Sequence, residues 1–391
     1  MSRCPTLARV AADRPPGGYA RRVPLDERAP FLFAVCQVGA ERVLKEEVLR
    51  EHPALRFAYS RPGLVTWKDP SGPVAPEVAL RAIFARAWGA SFGSPSDDAE
   101  LAAVIHRLAV AQPVRLHVFA RDRYRPGEAP PEDEDSADEP AASVGARLRA
   151  QCPTAIAPGD EARPGELVVD VIVPPAGEPL LMGAHRHVAG RVPWPGGRIA
   201  VTVPADAPSR AFRKLEEALV WSRAPIRPGD VALEIGSSPG GAALALVGRG
   251  VSVVGVDSGV MAPHVLARVG PNGARVTHVQ VAVAKLRREQ LPPRVEWLLL
   301  DVNLAPQVAL HQVRRLVPPL RSTLTGVIFT LKLNDWGMAS ELPSLLARIR
   351  EFGMVELAAT QLPSNRQEVC VVGLTARGVA RRRVAQRGPR A

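Results

Sequence analysis

Glu234, Gly236, Ser238, Pro239, Gly240 and Gly241 crowd one short stretch of the chain, and Asp257 follows about twenty residues after it. These residue types suit a ligand that carries a nucleoside. Glycines let the backbone turn sharply and approach a ligand closely, and a carboxylate at the end of the next apolar run can accept from both hydroxyls of a ribose. A dinucleotide needs the further pattern G-x-G-x-x-G around its pyrophosphate, whereas here Gly236 is followed by Ser237, Ser238 and Pro239. The set therefore favours S-adenosylmethionine over NAD, since only NAD must place two phosphates at the turn. Lys332 stands out for a different reason. It interrupts the apolar run 326–333, and taking an ammonium group out of water is costly enough that a lysine there calls for a use.

The elements that would position these residues read as an open α/β sheet. The run 231–235 has the length and composition of a buried parallel strand, and 242–247 continues as a good helix former. The ligand is thus expected at a helix N-terminus beside the carboxyl ends of parallel strands, the usual crevice of a doubly wound sheet. Further strands are expected at 251–256, 276–283, 295–300, 326–333 and 369–373. A helix is expected to start at Ser209 as its N-cap, with Phe212, Leu215 and Leu219 on its apolar face and Lys214 on the opposite one.

Upstream, a strand at 31–36, a helix at 40–50, strands at 56–60 and 63–67 and a helix at 76–87 predict a small ferredoxin-like unit. A helix at 101–109, a strand at 114–119, a helix at 142–151 and a strand pair at 167–173 and 180–185 follow. The acidic, proline-containing stretch 128–139 reads as a disordered loop without a function of its own. The glycines and prolines of 190–198 mark the domain boundary. His185, Arg186, His187 and Arg191 near Trp194 leave two readings open, a phosphate and base contact or a polar strand end with a linker.

A chain of 391 residues with 46% hydrophobic and 23% charged residues has room for two or three folded domains. Its net charge of +11 points toward a polyanionic partner, although an arginine-rich composition also follows from genomic base bias. Cys4, Cys36, Cys152 and Cys370 are scattered without metal-ligand or disulfide spacing, so no metal is expected and the compartment reads as reducing. No apolar run approaches transmembrane length, and the start of the chain has no secretory h-region. Residues 1–30 and 377–391 read as loose basic tails, and a cytoplasmic protein without membrane or DNA partners is expected.

Lys214, Asp301, Lys332 and Glu368 occur in that order around the glycine-rich turn, a K-D-K-E set that resembles the FtsJ-like ribose 2′-O-methyltransferases. The flanks APSRAFRKLEEA (207–218), VDSGVMA (256–262) and LKL (331–333) narrow the resemblance to the large-subunit ribosomal RNA methyltransferase M family, RlmM, over about residues 199 to 374. The resemblance implies a Rossmann-like class I methyltransferase domain at 196–376, preceded by a ferredoxin-like subdomain at 31–90 and a THUMP-like RNA-binding domain at 91–195. It implies a protein that uses S-adenosylmethionine to methylate the 2′-hydroxyl of a cytidine in 23S ribosomal RNA, with the oligomeric state left open and a monomer expected.

The roles that the resemblance implies fit the chemistry. A ribose 2′-hydroxyl is a weak acid and a poor nucleophile, so attack on a sulfonium methyl benefits from a base and from rigid in-line placement. Lys332 is assigned as that base, Lys214 and Glu368 as partners that orient the substrate, and Asp301 as the bridge between the lysines and the cofactor end. Glu234, Gly236, Ser238, Pro239, Gly240, Gly241, Asp257 and Asp301 would hold the cofactor. Two positions depart from the family: Ala242, where an aromatic is frequent, and Ala282, where an acidic residue is. These departures support a second reading, a non-catalytic RNA-binding or ribosome-assembly factor that kept the fold. A small-molecule oxidoreductase is disfavoured by the missing dinucleotide pattern.

Overall fold

The computed structural model describes residues 27–125, 128, 139–175 and 177–387. They form two compact units that divide between Ile199 and Ala200, each with its own seven-stranded sheet.

The amino-terminal unit runs β1 (Phe31–Val35), α1 (Glu41–Glu51), β2 (Arg56–Arg61), β3 (Leu64–Lys68), β4 (Ala87–Gly93), α2 (Asp98–Leu108), β5 (Arg115–Ala120), α3 (Glu139–Gln151), β6 (Leu167–Val173) and β7 (Leu181–Arg186). Its strands lie in the order β2-β3-β1-β4-β7-β6-β5, so the expected boundary near residue 90 falls inside β4 and one sheet continues across it. Leu101, Ile105, Leu116, Leu148 and Val169 form a buried core in which α2 and α3 meet β5 and β6. A smaller cluster of Phe33, Leu64, Phe119 and Ile172 lies apart from it.

The helix expected at 76–87 is not formed. The segment is irregular, and β4 begins at Ala87. Its backbone is satisfied from α1 instead: the carboxylate of Glu47 accepts from Ile83 N at 2.9 Å and Phe84 N at 3.3 Å, and His52 Nε2 accepts from Arg81 N at 2.9 Å. Burial pushes the Glu47 carboxyl up to about 7 against these hydrogen bonds. Strand β4 has no alternating apolar signal because close packing demands small residues in it. A Cβ on Gly89 would strike the Ala184 carbonyl of β7.

Of the expected amino-terminal tail, residues 1–26 lie outside the described residues. Glu27 pairs with Arg186 at 2.8 Å, and Ala29 bridges to Val74. Most of the expected acidic loop also lies outside them, and Glu139 already belongs to α3.

The carboxy-terminal unit contains α4 (Ala211–Ser222), β8 (Val231–Ile235), α5 (Gly241–Gly248), β9 (Ser252–Asp257), β10 (Val276–Gln280), β11 (Trp297–Leu300), α6 (Pro306–Arg314), β12 (Gly326–Lys332), α7 (Leu342–Arg350), β13 (Glu356–Thr360), β14 (Glu368–Leu374) and α8 (Ala376–Arg387). Its strand order is β10-β9-β8-β11-β12-β14-β13. The first five strands are parallel, and β14 is antiparallel to both neighbours. Trp297 is fully buried, with its indole N–H donating to Asp230 at 3.0 Å.

The expected loose tail at 377–391 is instead helix α8 through Arg387. Arg381 donates to Asp230 at 2.7 Å, Arg382 pairs with Glu356, and Gly378 lies so close to the Thr325 carbonyl that a Cβ would collide with it. Ion pairs, rather than an apolar stripe, hold this helix, so its composition reads as a tail. Among the described residues no helix is long and apolar enough to cross a membrane, and no His, Cys, Asp and Glu group is placed to hold a metal ion.

Candidate active site

Strand register brings three of the four charged residues to one edge of the carboxy-terminal sheet. Lys332, the last residue of β12, pairs directly with Glu368, the first of antiparallel β14. Strand β11 ends at Leu300 between Ile235 of β8 and Phe329 of β12, so Asp301 emerges at the carboxyl ends of the parallel strands. Its N–H donates to the Ile235 carbonyl at 2.9 Å, which fixes the backbone from which the carboxylate projects.

Helix α4 adds Lys214. Its Nζ lies 2.6 Å from Glu368 Oε2 and 3.3 Å from Asp301 Oδ2, while Lys332 Nζ lies 3.5 Å from both Asp301 Oδ1 and Glu368 Oε1. Two cations and two anions thus alternate. The side chains retain 11% exposure for Lys214, 12% for Glu368, 20% for Asp301 and 24% for Lys332, so these charges are screened less than surface pairs while one side stays open to a substrate.

The helical-wheel placement of Lys214 is corrected by this geometry. Lys214 lies with Ala211, Leu215 and Ala218 on the α4 face that lines a cavity of about 30 Å³ with Glu234, Asp301 and Cys370. The buried face of α4 is wider than the apolar stripe, because Glu216 and Glu217 are buried in it as well. The helix starts at Ala211 with Arg210 in the N-cap position, one residue later than expected, while Ser209 Oγ accepts from Ala211 N at 3.4 Å.

The glycine-rich turn lies beside the quartet. Gly236 has φ +86°, and a Cβ there would strike the Asp301 carbonyl. Gly240 has φ +112° and opens α5. Pro239 follows Ser238 through a cis peptide. Gly241 lies against Ser209, where a Cβ would meet the serine hydroxyl. Asp257 ends β9, and its two oxygens accept from Ser238 N at 3.1 Å and Gly259 N at 2.8 Å. Each oxygen retains a second lone pair for a ligand hydroxyl. The Ser238 hydroxyl donates to the Val260 carbonyl at 2.6 Å, so this side chain ties the turn to the 258–260 loop.

The residues present fit a bound nucleoside-type cofactor. Glu234 is 2% exposed, and its Oε2 has no hydrogen-bond partner among the described residues. Burial, followed by the nearby Asp301 and Asp257 carboxylates, pushes its carboxyl well above the usual range. A buried acceptor of this kind at the mouth of a glycine turn is suited to a polar ligand. Of the departing positions, Ala242 lines the small cavity and Ala282 is exposed beyond β10.

Sequence reasoning passed over Glu217. It accepts from Ser364 N at 3.0 Å and Ser364 Oγ at 2.6 Å, anchoring the loop that leads into Glu368. The only sequence signal is a carboxylate three residues after Lys214, close to one helical turn. Cys370 is also enclosed here, and burial with the surrounding carboxylates raises its thiol far above the ordinary range.

The open choice for residues 185–194 resolves toward structure. His185 and His187 are buried, and His185 Nδ1 lies 2.6 Å from Asp170 Oδ2. Arg186 pairs with Glu27 and Glu77, and Arg191 stacks 4.0 Å from the Trp88 ring centroid. Trp194 accepts from Gly197 N at 3.1 Å through its carbonyl.

No protein-family model matches the chain. Among curated proteins, Ribosomal RNA large subunit methyltransferase M from Alkalilimnicola ehrlichii is 34% identical over 193 residues, covering 46% of this chain and 49% of that protein. The protein of the same name from Halorhodospira halophila is 32% identical over 202 residues, covering 49% and 56%. The resemblance to the RlmM family is therefore borne out: distant relatives at 30–34% identity carry that family name. The chain spans about half the length of the curated relatives it matches. Among solved structures, TrmN from Thermus thermophilus is 18% identical with a TM-score of 0.33, covering 88% of this chain and 99% of that one, a likeness too loose to carry a functional argument.

Proposed function

We propose that the protein is an S-adenosylmethionine-dependent 2′-O-ribose methyltransferase of large-subunit ribosomal RNA, acting on a cytidine of 23S RNA. The observation that carries this reading is the convergence of Lys214, Asp301, Lys332 and Glu368 beside the glycine-rich turn, with each lysine 2.6 to 3.5 Å from both carboxylates. The strand order β10-β9-β8-β11-β12-β14-β13, with antiparallel β14 inserted between β12 and the edge strand β13, supports a Rossmann-like class I methyltransferase domain. The names of the relatives supply the substrate class. On this reading the amino-terminal unit is the ferredoxin-like and THUMP-like RNA-recognition module.

Glu234, Gly236, Pro239, Gly240, Gly241 and Asp257 would hold the cofactor, with Asp257 taking the ribose hydroxyls and Asp301 bordering its reactive end. When bound, S-adenosylmethionine supplies an electrophilic methyl group. Lys332 receives the proton of the 2′-hydroxyl, for which its amine must be neutral at the moment of transfer. Glu368 and Asp301 hold it from two sides, so the amine acts from one fixed position. Lys214 neutralises both carboxylates and orients the incoming ribose. The charge that leaves the hydroxyl thus moves within a preorganised quartet instead of requiring water to reorganise.

Mapping ribose methylation in ribosomal RNA tests the proposal. A deletion strain should lose one 2′-O-methyl group, restored by the parent chain and not by Lys332→Ala. An unchanged methylation map would overturn it.

A further inference from the structure

We propose that the open face of the amino-terminal sheet binds unpaired RNA, stacking bases on Tyr59 and Phe31 and meeting phosphates with Arg61 and Lys68. The proposal rests on the RNA methyltransferase reading and locates its recognition surface. Register sets the face. Phe33 pairs with Thr66 and Leu32 with Trp67, so Thr66, and with it Leu64 and Lys68, point away from the side on which Trp67 is buried. Tyr59 pairs with Thr66 and Arg61 with Leu64, which puts both on that same open face. A groove of about 730 Å³ runs along it, floored by Thr66, Ser91, Ile172 and Leu181, within the roughly 300–1,000 Å³ of sites that enclose small organic groups.

The groove pairs aromatic rings with cations. Arg61 lies 5.5 Å from the Tyr59 ring centroid, and Lys68 lies 5.2 Å from that of Phe31. Tyr59 is 46% exposed on an edge strand, with Arg61 over its ring and Arg61 Nε donating to its hydroxyl, so the side chain serves the groove instead of the core. Deeper in, Arg121 also lines the groove. Its side chain is 4% exposed, and its Nε has no hydrogen-bond partner among the described residues. Glu178 accepts from Arg61 Nη1 at 2.5 Å and from Arg121 Nη2 at 2.8 Å. Two guanidinium groups therefore converge on one carboxylate oxygen, each through a single charge-assisted N–H, the kind of contact that a phosphate oxygen also accepts.

Aromatic faces beside a track of cations suit a single strand, whose bases can leave the stack and lie on a ring while the backbone meets the charges. A duplex hides its base faces and would leave the rings unused. Binding of the full chain to an unpaired oligoribonucleotide of about ten nucleotides and to a fully paired hairpin, followed by fluorescence anisotropy, tests the site. Tyr59→Ala should weaken binding to the unpaired strand by roughly 5- to 150-fold with little change for the hairpin.

Arg61→Ala should lower the salt slope for the unpaired strand by about 0.7. Glu178→Gln removes the competing anion and should tighten binding. Arg107→Ala removes a cation that sits 5.4 Å from the Phe92 ring outside the groove, and it should leave the affinity unchanged. The proposal is overturned if Tyr59→Ala binds the unpaired strand within two-fold of the parent, or if it weakens strand and hairpin alike. A chain that methylates ribosomal RNA but is indifferent to Tyr59 sinks the groove alone, whereas one that neither binds nor methylates any RNA sinks the function on which it rests.

Discussion

Replacing Lys332 separates three roles that this residue could have: proton acceptor, electrostatic partner and structural tie. Lys332→Met keeps most of the aliphatic stem and removes the amine. In the native site Nζ stands 3.5 Å from each of two carboxylates and the side chain is 24% exposed, so the loss of the amine leaves Asp301 and Glu368 with Lys214 as their remaining cation in the quartet. That position lies between an exposed pair, at about 0–1 kcal/mol, and a buried one, at about 3–5 kcal/mol, so the stability cost should be about 2 kcal/mol. In a unit of this size such a cost lowers the melting temperature by roughly 4–8 °C and leaves the protein folded.

The rate effect should be larger than the stability effect. A positioned general base contributes roughly 10²- to 10⁴-fold, or about 3–5 kcal/mol of barrier. Single-turnover transfer of a radiolabelled methyl group to ribosomal RNA reads the rate, and calorimetry reads cofactor affinity, which should stay within about three-fold because the amine acts on the hydroxyl. Lys332→Arg is the sharper test, since a guanidinium keeps the charge and the carboxylate contacts but does not release a proton at neutral pH. It should be as slow as Lys332→Met while recovering most of the lost stability. A Lys332→Arg protein that turns over within ten-fold of the parent would refute the base assignment and leave charge alone as the contribution.

Asp257→Ala should weaken S-adenosylmethionine binding by about 10- to 150-fold, the equivalent of roughly 1.5–3 kcal/mol for a charge-assisted acceptor, and unchanged affinity by calorimetry would place the cofactor elsewhere. Glu47 should make the amino-terminal unit less stable as pH rises. Its folded carboxyl titrates near 7 against 4.5 unfolded, so the stability of its protonated form is fully present below 4.5 and is lost by about pH 7, up to about 3 kcal/mol. Urea unfolding of the parent and Glu47→Gln at pH 4.5 and 7.5 should show their difference shifting in favour of Gln at the higher pH, and a difference that does not move with pH excludes the titration. A fragment from Arg198 to Ala391 should bind S-adenosylmethionine like the full chain and lose most activity on RNA, with a shallower salt dependence of RNA binding; undiminished methylation of the same nucleotide would show that residues 31 to 195 do not recognise RNA.

The glycine-rich turn was legible in the sequence because its constraints are local. A short apolar strand, glycines that must adopt positive φ and an acidic residue at the end of the next strand are each fixed by neighbours in the chain, and the structure finds Gly236 and Gly240 at φ +86° and +112° with Asp257 closing β9. Lys332 was legible as well, since it is anomalous within its own strand, whereas Lys214, Asp301 and Glu368 joined it only through the family resemblance.

Tertiary structure decided what local pattern does not encode. The pairing of Lys332 with Glu368 depends on the antiparallel insertion of β14 beside β12, a topological fact without a periodic signature. Lys214 was misplaced on the wheel because α4 buries carboxylates along with its apolar stripe, and Glu217 escaped notice for the same reason. The segment before β4 has a composition that passes for a helix, but Glu47 and His52 of the α1 region supply acceptors for its amides and release it from helical hydrogen bonding. Helix α8 reads as a tail because ion pairs to Asp230 and Glu356, distant in sequence, replace the apolar face that would have announced it. Periodicity reports how a segment meets a generic core, whereas these elements are held by particular partners that only the folded chain brings within reach.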